Sequence, residues 1–83
     1  MLNTKHMFNN QRYVHFGDDY SLSIVDEQKP GTFELAVLYK ERLVHMPGIS
    51  DPNDTVTRFR TQKAVEMIMK KMVSITGKIP QKG

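Results

Sequence analysis

The stretch TQKAVEMIMKKMVSITG, residues 61–77, decides how the rest of the chain must fold. Ala64, Val65, Ile68, Met72 and Ile75 recur at spacings of three and four, which gathers them into one broad apolar stripe of a helix. Gln62, Lys63, Glu66, Lys70 and Ser74 fall opposite. Both ends are marked: Thr61 is a suitable N-cap, Gly77 suits the left-handed position past the C-terminus, and Pro80 follows closely. A helix over 61–76 with a single apolar stripe needs a second layer to cover it, and the chain upstream must supply that layer.

The upstream chain alternates with the period of strands. Val14 and Phe16 oppose Tyr13 and His15, and Tyr20, Leu22 and Ile24 oppose Ser21, Ser23 and Val25. The strongest run sets Phe33, Leu35, Val37 and Tyr39 against Glu34, Ala36 and Leu38. Gly17-Asp18-Asp19 is a turn signal, and Pro30-Gly31 suits a type II turn. Residues 42–46 resume β-type side chains with Leu43 and Val44. Lys40-Glu41 is a poor two-residue hairpin because neither residue favours positive φ, so a longer loop is expected there. Two prolines and two aspartates make 47–55 a loop, and 56–60 is a short fifth strand or an extended lead into the helix.

The expected fold is therefore α+β: an antiparallel meander of four or five strands with one C-terminal helix packed on one face. The expected core is Val14, Phe16, Tyr20, Leu22, Ile24, Phe33, Leu35, Val37, Leu43, Val65, Ile68 and Met72. Residues 1–11 read as a disordered leader, 12–77 as a single domain and 78–83 as a flexible tail.

Eighty-three residues make one domain with a small core, and the absence of cysteine excludes disulfides and thiolate zinc sites. No apolar run approaches the roughly 18 residues of a membrane span. The leader has no apolar signal region, so a cytoplasmic protein without membrane contact is expected. Neither a cofactor nor a metal is expected: His15 and His45 lie on strands far apart, and no spacing matches a metal-ligand motif. Asp51-Pro-Asn-Asp-Thr lacks the glycine and glutamate of a calcium loop and reads as a loop cap. No nucleophile elbow or phosphate loop is present, and the expectation is a protein that is not an enzyme.

Charge carries the remaining signal. Residues 55–83 hold seven bases against the single acid Glu66, and residues 17–54 hold eight acids against three bases. The basic segment offers Arg58, Arg60, Lys63, Met67, Lys70 and Lys71 as candidate partner-binding residues, with the two arginines expected on one face of an extended segment. A cationic face steers association with a protein partner that has an acidic surface. The alternative partner is nucleic acid, held through phosphates, although stacking aromatics are scarce nearby and Phe59 is expected to pack inward. Met67 and Val73 fall on the polar side of the helix and suggest a contact patch, and a homodimer is a further expectation from Val25, Ala36 and Leu38 on the second sheet face.

Over residues 20–77 the pattern resembles small accessory proteins of tailed bacteriophages. Tyr20-Ser-Leu-Ser-Ile-Val25, Gly31-Thr-Phe-Glu-Leu-Ala-Val-Leu38, Arg42-Leu-Val44 and Val56-Thr-Arg-Phe59 leading into Ala64-Val-Glu66 carry that resemblance. It implies a small non-catalytic module in the host cytoplasm that binds and modulates or inhibits a host protein. It assigns no functional residues.

Overall fold

The structure, a computed structural model, describes residues 11–82 apart from Gln28 and Pro30, and leaves out the side chain of Phe59. Gln11, expected as the last residue of the leader, is instead the first residue of a strand; the rest of the expected leader, the Pro30 half of the type II turn and the inward packing of Phe59 lie outside the described residues. The elements are β1 (Gln11–Phe16), β2 (Tyr20–Asp26), β3 (Thr32–Tyr39), β4 (Arg42–Val44), β5 (Val56–Thr61), α1 (Gln62–Thr76) and β6 (Gln81–Lys82). They form one antiparallel sheet in the order β4-β3-β2-β1-β6, with β5 also on β3, and α1 covers one face. This is the expected α+β class.

The choice between four and five strands resolves in an unexpected way. β4 pairs with β3 at Val37, Leu38 and Tyr39, and β5 pairs with β3 from Thr32 to Ala36. Because β2 occupies the other edge of β3, β4 and β5 lie end to end along the same edge. They are two halves of one strand position, separated by an excursion over residues 45–55. The excursion folds back on itself through Ile49 and Ser50 N–H groups donating to the Met46 carbonyl, and it drops Ile49 into the core.

Most of the expected core is observed. Phe16, Leu22, Ile24, Leu35, Val37, Val65, Ile68 and Met72 are buried together, with Val14, Tyr20 and Phe33 half-buried against them. Each fully buried aliphatic contributes about 1.5–3 kcal/mol relative to exposure. Leu43 is a correction: it is 54% exposed, and Val44 packs on the core in its place. The cause is the preceding turn. Tyr39 pairs with Arg42, so Lys40-Glu41 is a two-residue hairpin after all, with φ of +50° and +68°. That register sets Val44 opposite the buried Val37 and Leu43 opposite Leu38 on the outer face.

The helix ends as its residues dictate. Thr61 Oγ1 accepts from the Ala64 N–H at 3.3 Å, and Gly77 takes φ +71° with its N–H donating to the Val73 carbonyl at 2.8 Å. Val65, Ile68 and Met72 form the buried seam, whereas Ile75, expected in the stripe, is largely exposed. The segment expected as a flexible tail is instead placed against the sheet: Gln81 and Lys82 pair with His15 and Val14 of β1. Lys78 lies over Gly17, where an added Cβ would stand 3.1 Å from its Cγ.

Candidate partner-binding surface

The six candidate residues do not form one stripe. Between Phe33 and Leu35 the pairing with β5 shifts from Arg60 to Thr57, so β5 carries one residue more than its partner. This bulge breaks the alternation of side chains. Thr57 and Arg60 therefore share the helix side, and both donate to Asp51 Oδ1, at 3.1 Å and 2.8 Å. Arg58 points to the other side and pairs with Glu34 at 2.7 Å. The expected common face of Arg58 and Arg60 is thus corrected, and each guanidinium makes an ion pair within the molecule while keeping part of its surface in solvent. The loop-cap expectation holds: Asp54 Oδ1 accepts from the Thr55 and Val56 N–H groups while Asp51 ties the excursion to β5.

Lys71 is engaged as well. Its Nζ donates to the Gly48 carbonyl at 2.8 Å, which clamps the excursion against one flank of α1. Val73, expected on the exposed side, packs on the core cluster instead. Lys63, Met67 and Lys70 remain. They stand at i, i+4 and i+7 of α1, so they are surface neighbours, and all three are exposed. Met67 is 54% exposed. Among the described residues none of the three has a hydrogen bond or an ion pair, and Glu66 is engaged by Gln62.

The opposite flank of α1 is open among the described residues. A groove of about 550 Å³ runs between α1 and the β1–β6 edge, with Val14, Ile24, Val65, Met69 and Pro80 as its apolar lining. Its banks are polar: Arg12 and Lys82 on the sheet side, Gln62 and Glu66 on the helix side. Arg12 lies 5.8 Å over the Phe33 ring. Sequence reasoning missed Arg12 and Lys82 because each is an isolated cation in its own segment. The pairing of β6 with β1 is what brings them to one edge.

Other candidate chemistry is dispersed. β2 and β3 separate the strand of His15 from the position that His45 follows, so these histidines cannot share a ligand. His15 sits in a hollow with Asp18 and Lys78, and His45 in another with Asn53 and Asp54. No group of three or more potential ligands gathers among the described residues. No helix among them is long and apolar enough to cross a membrane. No family model, no curated protein and no solved structure matches the chain.

Proposed function

We propose that the protein is a small non-catalytic binding module that occupies the surface of a protein partner through the outer face of α1. In keeping with the accessory-protein pattern of residues 20–77, the partner is a host protein that the module modulates or inhibits. The observation that carries the reading is the stripe Lys63, Met67 and Lys70, which is left without internal partners while Arg58, Arg60 and Lys71 are engaged inside the molecule. Two ammonium groups around an exposed thioether suit an acidic protein surface: the charges steer encounter, and methionine adapts to the contact.

A homodimer through the open sheet face has weaker support. Four strand positions about 4.8 Å apart and about six residues long offer roughly 400 Å². That is half of the about 800 Å² per partner in a stable interface.

The test is reversal of Lys63 and Lys70 to glutamate in the full chain. The expected result is slower association with a captured partner at unchanged thermal stability. A fall in stability instead would make these side chains structural and sink the reading. A parallel salt titration with single-stranded oligonucleotide separates the rival. Affinity falling linearly in log–log form by counterion release would favour nucleic acid.

A further inference from the structure

The two flanks of α1 differ among the described residues. On one, Ile49 is buried and Lys71 holds the Gly48 carbonyl, so the excursion seals the helix to the sheet. On the β1 side, the lining of Val14, Val65, Met69 and Pro80 over buried Ile24 has no such cover among the described residues. Its volume falls within the roughly 300–1,000 Å³ of sites that take small ligands or single side chains of a partner.

The charge around the groove is one-sided. Arg12 and Lys82 line one bank. On the other bank Glu66 is flanked on the helix surface by Lys63 and Lys70, three residues before it and four after. On the lining of the groove two cations, Arg12 and Lys82, therefore face one carboxylate, Glu66, which already accepts from Gln62, while Asp26, which lines the adjoining hollow with Arg12, has a contact of its own. The chain's own residues 1–10 contain Lys5 and no acid, so charge does not favour them as the occupant.

We infer that this groove receives an extended segment of an acidic protein partner, which seats apolar side chains on Val14, Val65 and Met69 and sets carboxylates beside Arg12, Lys82, Lys63 and Lys70. The inference rests on the protein-binding reading and adds the partner's chemistry and a second bank of contacts to it. An apolar anchor in a pocket with charges at the rim is the usual division of labour at such interfaces, the anchor supplying affinity and the rim supplying selection.

The probe is a fluorescein-labelled synthetic peptide of alternating leucine and glutamate, titrated into the full chain by anisotropy and mapped by amide shifts. The expected result is saturable binding that moves the amides of Val14, Val65 and Met69. Arg12→Glu with Lys82→Glu should weaken it about tenfold. Peptides with lysine for glutamate, or alanine for leucine, should bind far more weakly. Equal binding of either control, or no binding of the acidic peptide, overturns the inference. So does tighter binding of a single-stranded oligonucleotide at the same amides. Nuclear Overhauser contacts in the free chain from Leu2, Met7 or Phe8 to the Val65 and Met69 methyls would assign the groove to the chain's own N-terminal residues and also overturn it. If the Lys63 and Lys70 reversals abolish peptide binding while Arg12→Glu with Lys82→Glu leaves it intact, the groove fails and the helix-face reading stands. Unchanged affinity in both pairs of variants overturns both.

Discussion

Replacing Glu41 by glycine should stabilise the protein, although the substitution deletes a whole side chain. Glu41 occupies φ +68° in a two-residue turn whose other member, Lys40, is at +50°. A residue with a Cβ pays about 1–2 kcal/mol to hold the left-handed region. Glycine removes that cost but adds back about 0.5–1 kcal/mol through the greater freedom of the unfolded chain. The net gain is about 0.5–1 kcal/mol, which for a domain of this size raises Tm by about 3–6 °C. Little is lost in exchange, because Glu41 is exposed and its carboxylate has no hydrogen bond or ion pair among the described residues. Lys40 is best left in place, since its Nζ lies 5.5 Å over the Tyr39 ring. Urea unfolding of Glu41→Gly and Glu41→Ala decides the matter. Glycine should raise the midpoint with an unchanged slope, and alanine should not. Equal stabilisation by alanine would assign the effect to charge, and a lower midpoint for glycine would refute the left-handed turn.

Three further outcomes follow from the packing. Ile49→Ala removes the side chain that plugs the core from the excursion and should cost about 2–4 kcal/mol by urea unfolding. Asp51→Ala strips the acceptor from the Thr57 hydroxyl, a residue only 1% exposed, and should cost about 1–3 kcal/mol. Asp51→Asn, which keeps an acceptor oxygen, should recover much of that loss in the same measurement. Gly77→Ala forces a Cβ into φ +71° and should cost about 1–2 kcal/mol, with earlier thermal loss of the helical circular dichroism signal.

What the residues disclose and what they conceal divides along a physical line. Local period and caps are short-range, so α1 and the faces of β1, β2 and β3 are readable directly from alternation and from Thr61 and Gly77. The turn at Lys40-Glu41 is not, because the pairing of Tyr39 with Arg42 holds two residues in a conformation that their own preferences oppose. The one-residue difference between that turn and a longer loop exchanges Leu43 for Val44 in the core. The bulge in β5 has the same effect on charge. Strict alternation places Arg58 and Arg60 together, and the single extra residue sends them to Glu34 and Asp51 on opposite faces. β6 is invisible in a two-residue segment without pattern, because only the path set by Gly77 and Lys78 returns it to β1.

These displacements converge on the excursion over residues 45–55. It interrupts one strand position, yet it carries three anchors within four residues: Gly48 takes Lys71, Ile49 enters the core, and Asp51 takes Thr57 and Arg60. Two of the six cationic or apolar candidates are consumed by this loop, and a third, Arg58, by Glu34 on the outer face. Of the five bases among the candidates only Lys63 and Lys70 have no such contact, so a count of bases overstates the free cationic surface more than twofold and misplaces its centre. With the flank beside the excursion sealed, the flank left open among the described residues is the one where β6 delivers Lys82 beside Arg12, next to the outer face that carries Lys63 and Lys70. The loop that reads as mere connection thus fixes which side of the helix can meet a partner, and a substitution that loosened its anchors would redistribute the binding surface as well as the stability.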